Sequence, residues 1–187
     1  EFSRQPGQDM RYEAILAPLD GFVMAVAIFR KCGGKGVNVT IPFKLEACKI
    51  STRLTERAAA AQAVNTLVFD NDEILGDNTD GIGLVRDIVI NLDFVIAGKR
   101  VLLMGAGGAV RGVLLPLLEH QPQLLTIANR TAQKARELQQ QFSAYGSIAA
   151  ADYAELAGQK FDIVINATSA SLSGELPPLP RHYVARQ

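Results

Sequence analysis

The sequence predicts an α/β protein of two units, and three observations carry that prediction. The apolar run at 101–104 leads directly into Gly105-Ala106-Gly107-Gly108-Ala109, after which apolar residues recur at helical spacing to residue 119. A second apolar run at 124–128 closes a strand–helix–strand unit of about 30 residues. Upstream, short apolar runs alternate with helical patterns through residue 79, which gives a second and smaller α/β unit.

Residues 1–12 hold Pro6, Gly7 and several polar groups and read as a tail. Residues 12–17 have the composition of a strand, 21–29 of an apolar helix, and Gly33, Gly34 and Gly36 of a loop into a strand at 37–41. Pro42 ends that strand because it cannot donate to a ladder, and a helix is expected over 43–54. The small residues at 58–63 suit close packing. Runs at 64–69 and 74–75 flank Asp70-Asn71-Asp72 as a hairpin. A polar, glycine-bearing loop at 76–81 then precedes a helical pattern over 82–92, and the boundary between units falls near 79–81, dividing the chain into 1–79 and 80–187. Beyond the glycine-rich turn, a polar helix runs to about Phe142, with strands near 147–150 and at 162–166. A complete doubly wound sheet has more strands than this pattern supplies, so the second unit is expected to be incomplete.

The 187 residues carry 19 basic and 19 acidic side chains and are 48% hydrophobic, an ordinary globular composition. Neutral balance speaks against a nucleic-acid partner, which ordinarily needs a basic excess to displace counterions. No apolar run reaches the 18 or so residues of a bilayer span, so a membrane role is not expected and a cytoplasmic location is. Cys32 and Cys48 supply neither a disulfide framework nor a zinc site, and no metal is expected. His120 and His182 are isolated and read as loop or surface residues.

The glycine-rich turn carries the first functional argument. Glycine lets main-chain amides approach a pyrophosphate, and the helix N-terminus behind it offers unpaired N–H donors and positive partial charge. Glycine-rich strand-to-helix turns also occur for purely structural reasons, but within a strand–helix–strand unit this one is expected to be the phosphate site of a Rossmann-like dinucleotide-binding domain. Where NAD-binding folds place a carboxylate for the ribose hydroxyls, this chain has Asn129-Arg130-Thr131, with Lys134 one helical turn on. A guanidinium pairs with a 2′-phosphate in forked geometry, and a carboxylate would repel it, so NADP is expected over NAD.

A nicotinamide enzyme acting on an alcohol needs a group to take the hydroxyl proton as hydride leaves. Lys44, at a helix start after Pro42, is the candidate, since the dipole and burial there both disfavour an ammonium. Asp80, in the loop between units, can orient the amine. Thr40 and Asn65 are uncharged hydrogen-bonding groups suited to a polyhydroxylated substrate. Alternative structural roles exist for each, Asp80 as a helix N-cap among them.

Taken together, Val37-Asn38-Val39-Thr40-Ile41-Pro42-Phe43-Lys44, Ala63-Val64-Asn65-Thr66-Leu67, Gly76-Asp77-Asn78-Thr79-Asp80-Gly81-Ile82-Gly83, the turn from Gly105 to Ala109, Asn129-Arg130-Thr131 and Asn166-Ala167-Thr168-Ser169 resemble the shikimate dehydrogenase family in motif and order. The resemblance covers nearly the whole chain. It implies reversible NADP-dependent reduction of 3-dehydroshikimate to shikimate, a step of aromatic amino-acid biosynthesis, in a cleft between two α/β domains. It further implies Lys44 and Asp80 as the catalytic pair and Thr40, Lys44, Asn65 and Asp80 as substrate ligands. For the cofactor it implies contacts from Glu56, from Thr168 and Ser169 near the nicotinamide half, and from Lys134 at the 2′-phosphate. A monomer or homodimer is expected.

The chain departs from the family at both ends. The Ser-Pro motif that holds the substrate carboxylate and the closing strands and helices with their substrate glutamine are not in this sequence, so both domains are expected to be incomplete. Ser171 stands where the family usually has glycine. If that backbone needs positive φ, Ser171 costs stability or moves the loop. Two other readings stay open: a quinate/shikimate dehydrogenase using NAD or NADP, and a nucleotide-binding module without catalysis.

Overall fold

The computed structural model describes residues 9–168. Two four-stranded sheets organise them. The first comes from α1 (Phe22–Lys31), β1 (Gly36–Asn38), α2 (Lys44–Ile50), β2 (Arg53–Leu54), α3 (Glu56–Ala61), β3 (Thr66–Asp70) and β4 (Glu73–Asp77), with strand order β1-β3-β4-β2. The β3–β4 pair is an antiparallel hairpin registered Thr66 to Asp77, turned by Asn71 at φ 48°. Asparagine tolerates that left-handed backbone because its short polar side chain bonds locally, here to Asp70.

Three expectations are corrected in this unit. Residues 12–17 form no strand: no described neighbour offers them a backbone ladder, and their side-chain ties are the Glu13 carboxylate's pairing with Arg11 and the Tyr12 hydroxyl, which donates to Asn38 Oδ1 at 3.1 Å. The helix expected over 43–54 stops at Ile50, because Ser51 turns extended (ψ 127°) and Arg53–Leu54 pair in parallel with Leu75–Gly76. The strand expected over 37–41 is confined to Gly36–Asn38, and 40–43 is a turn closed by Phe43 N–H on Thr40 C=O, with a cis Ile41–Pro42 peptide. Phe43 stacks on Phe22 at 4.8 Å between centroids, fixing that turn to α1 and so the place where α2 starts.

The second sheet is all parallel in the order β7-β6-β5-β8, from β5 (Arg100–Met104), β6 (Leu124–Ala128), β7 (Ile148–Ala151) and β8 (Ile163–Asn166). Numbered within the unit this is 3-2-1-4, the doubly wound arrangement. The helices α4 (Asp80–Arg86), α5 (Gly108–Glu119) and α6 (Ala132–Phe142) complete it, α4 running on into a wider π turn at Asp87–Asn91.

Alternate residues of β5 face opposite cores. Val101 and Leu103 join Val110, Leu114, Leu117, Ile127, Leu138 and Phe142 on one side, and Leu102 and Met104 join Ala128, Leu156 and Phe161 on the other. A parallel sheet covered on both faces demands such unbroken apolar runs. The order reverses at β5, with β6 on one side and β8 on the other; doubly wound sheets bind ligands at such a switch point, at the carboxyl ends where Gly105 and Ala167 lie together. Among the described residues no helix is long and apolar enough to cross a membrane, and no cluster of three metal-ligating side chains occurs.

Candidate active site

Lys44 is the first residue of α2 and Asp80 the first of α4. The Lys44 ammonium donates to Asp80 Oδ2 at 2.5 Å, with the lysine side chain 13% and the aspartate 28% exposed. Asn65 takes the other carboxylate oxygen, donating from Nδ2 to Oδ1 at 2.8 Å. Its Oδ1 in turn accepts the Thr79 backbone N–H at 3.0 Å and the Thr66 hydroxyl at 2.9 Å. Asp80 does not cap its helix; its carboxylate is held between an amine and an amide.

The backbone explains why these groups converge. Val39 N–H donates to Asn65 C=O and Asn65 N–H to Asp77 C=O, so the ends of β1, β3 and β4 lie side by side. Val64 N–H donates to Lys44 C=O, tying α2 to the same end. Thr40 is exposed in the turn just before α2, and its hydroxyl makes no hydrogen bond among the described residues. It is thus free to meet a ligand at the mouth of the group.

Beneath the cluster, Asp77 accepts two bonds from the Arg57 guanidinium, one from the Thr55 hydroxyl at 2.7 Å and one from the Asn78 N–H at 2.7 Å. Burial pushes the Asp77 carboxyl up, but the bonds from Arg57, Thr55 and Asn78 outweigh it and hold the group below the usual carboxylate range. Arg57 is raised by its hydrogen bond to the same carboxylate. This pair pins α3 to the end of β4, three residues before Asp80.

The glycine-rich turn faces this cluster. Gly105 has φ +109°, and a Cβ there would lie 3.0 Å from the Ala167 carbonyl, so both conformation and space call for glycine. Ala106 and Ala109 flank the turn half-buried. A Cβ on Gly107 would meet nothing within 4 Å, and one on Gly108 would touch the Lys44 stem at 3.5 Å. The lysine therefore runs past the N-terminus of α5, whose N–H groups open toward the same space.

At the far end of β6, Asn129 donates from Nδ2 to Thr131 C=O at 3.0 Å, shaping the turn into α6. Thr131 precedes α6 without a side-chain cap bond. Arg130 and Lys134 are exposed, and neither forms an ion pair among the described residues. Thr168 N–H and hydroxyl both donate to Asn166 Oδ1, at 3.1 and 2.7 Å, closing a turn beyond β8. Glu56 is exposed in the first turn of α3 and bonds none of these residues. Ser169, Ser171 and His182 lie outside the described residues; His120 is exposed at the end of α5.

Sequence reasoning passed over Thr79, Thr66 and Asn78, which fix the orientation of Asn65 and Asp80. The one available signal was the density of short polar side chains at 77–80, the type that bonds to nearby backbone.

Fold and site together define a Rossmann-like α/β protein in which an amine at the start of α2 in the first unit pairs with a carboxylate at the start of α4, beside the glycine-rich turn of the second unit. Two family models match it: the shikimate dehydrogenase substrate binding domain over residues 1–67, and shikimate/quinate 5-dehydrogenase over residues 89–173. The chain is 67% identical over 180 residues to the NADP(+) shikimate dehydrogenase of Nitrosospira multiformis, covering 96% of this chain and 66% of that protein. It is 61% identical over 185 residues to the corresponding protein of Laribacter hongkongensis, covering 99% and 68%. The crystal structure of an Ael1 enzyme from Pseudomonas putida superposes with a TM-score of 0.86 at 49% identity, covering 96% of this chain and 66% of that one. The chain belongs to the shikimate dehydrogenase family. It spans just under two thirds of the length of the Nitrosospira relative.

Proposed function

We propose that this chain carries the catalytic part of an NADP-dependent shikimate dehydrogenase, with residues 1–79 as the substrate unit and 80–187 as the cofactor unit. The observation that carries the reading is Lys44, whose ammonium is bound to Asp80 at 2.5 Å and whose stem passes the first residue of α5. One side chain thus joins a proton-handling pair to the mouth of a dinucleotide site.

The residues present fit NADP. Gly107 leaves open space at the turn, Gly105 supplies the backbone that aims it, and Arg130 and Lys134, without an ion pair among the described residues, offer positive charge where a 2′-phosphate belongs. NADPH, when bound, supplies the hydride that reduces a carbonyl carbon of 3-dehydroshikimate. Lys44 gives its proton to the oxygen that becomes the hydroxyl, and in the reverse direction takes it back. Asp80 holds the amine in place, and Asn65 holds Asp80 by its second oxygen. Thr40, free at the mouth, is assigned a hydroxyl of the substrate.

Turnover of the native protein with shikimate and NADP, followed by absorbance of the reduced nicotinamide, tests this. Shikimate with NADP is expected to turn over fastest among four pairings of shikimate or quinate with NADP or NAD. Faster turnover with quinate and NAD would replace this reading by the broader quinate activity, and NADPH binding without turnover of either acid would replace it by a non-catalytic module.

A further inference from the structure

Asn78 is 1% exposed, among the most buried polar side chains described. Its Nδ2 donates to the Ala63 carbonyl at 3.0 Å, and its Oδ1 accepts the Asp80 backbone N–H at 3.2 Å. It therefore ties the strand end that carries Asn65 to the residue that holds Lys44. The third side of the amide lies against Gly112 in the middle of α5: a Cβ there would sit 2.5 Å from Oδ1, 2.7 Å from Nδ2 and 2.9 Å from Cγ.

The neighbouring contact is equally close. A Cβ on Gly81 would fall 2.4 Å from the Gly112 carbonyl and 2.7 Å from Pro116 Cγ. Pro116 has no N–H, so the Gly112 carbonyl lacks its partner within the helix and the Gly81 backbone can approach it directly. The start of α4 is thus seated on α5 through the Gly112 backbone, the Asn78 amide and the Pro116 ring.

We infer that Asn78 is a positioning residue: lodged against Gly112, it sets the distance between the Lys44–Asp80 pair and the dinucleotide helix α5. The inference rests on the reading proposed above. Its physical basis is that a hydride and a proton must reach adjacent atoms, one from a molecule seated on α5 and the other from a side chain held by α4. A displacement of about 1 Å between them costs on the order of 10²-fold in rate.

The native protein, Asn78→Ser, Gly112→Ala and the double variant are compared for kcat, KM, NADPH affinity and thermal midpoint. Each single change is expected to lower kcat by about 10²-fold with KM and NADPH affinity within a few-fold. The double variant is expected to lose little beyond the worse single one, because both residues act through one contact. Unchanged kcat in folded variants, or fully additive losses, would overturn the inference. On the unmodified protein, NADPH binding is expected to shift the Asn78 side-chain amide resonance in NMR, and an unmoved resonance overturns it even if every variant unfolds. Native protein that binds NADPH with that shift yet turns over no shikimate would instead defeat the proposed function.

Discussion

The two sheets are built to different standards. The dinucleotide sheet has four parallel strands of four or five residues in unbroken register; its central strands β5 and β6 are almost wholly excluded from water, and its outer strands β7 and β8 are half-buried. The other sheet mixes parallel and antiparallel pairing, two of its strands have two and three residues, and seven residues form its buried core: Phe22, Val26, Val39, Ala47, Ala58, Val64 and Leu67. Val68 in its longest hairpin is 45% exposed. Apolar burial is the main favourable term in folding, so the dinucleotide sheet is the stiffer one. The contrast teaches where each part of the proposed site sits: the glycine-rich turn assigned to the phosphates lies at the end of the rigid sheet, whereas the amine stands on the less anchored sheet and takes its geometry from Asp80 and α4.

Replacing Lys44 by alanine probes the weaker side and should produce the largest effect. With the proposed proton donor gone, kcat is expected to fall by roughly 10² to 10⁴-fold with far less change in KM. An equal loss in 1/KM would mean that the amine only binds. Core truncations test the stability contrast: Phe142→Ala costs about 3–5 kcal/mol and Leu67→Ala about 2–5 kcal/mol, both residues being fully buried. In urea, Leu67→Ala is expected to move an early step that reports the first sheet, and Phe142→Ala the later one. A single transition shifted alike by both would erase the distinction.

Arg130→Ala sharpens the picture on the rigid side. A charge-assisted bond is worth about 1.5–3 kcal/mol, so NADPH binding should weaken roughly ten- to a hundred-fold while NADH is unaffected. Equal loss for both cofactors removes the phosphate argument. The smallest effect belongs to Asp77. Its folded pKa lies below the unfolded value near 4, so its contribution is present above that pH and disappears as pH falls through the folded value. Asp77→Asn should destabilise the protein by about 1–3 kcal/mol at neutral pH and flatten the acid limb of stability against pH, measured by urea unfolding. An acid limb as steep as in the native protein would assign it to other carboxylates.

The same contrast explains what was legible from sequence. Residues 101–104 and 124–128 announce themselves because strands buried on both faces must be continuously apolar. The hairpin around Asn71 is carried by local turn chemistry. Residues 12–17 have strand composition and no ladder, since composition does not reveal whether a partner edge is available. The break at Ser51 depends on Arg53 and Leu54 finding Leu75 and Gly76 more than twenty positions away. At the site, residue types pointed to Asn65 but not to the bonds by which its amide grips Asp80 and Thr79. The seating of Asn78 on Gly112 joins positions 34 apart, and neither neighbourhood carries a sign of the other.

Positions 105 and 107 look alike in the sequence but answer to different masters. At 105 the polypeptide itself requires glycine, through its φ of +109° and the Ala167 carbonyl, so alanine there harms the apoprotein. At 107 nothing in the protein presses on the missing methyl. A descendant that ceased to use a dinucleotide could therefore change residue 107 at no cost to its fold while remaining bound to glycine at 105, and that pair of positions would record, in any relative, whether the cofactor is still in use.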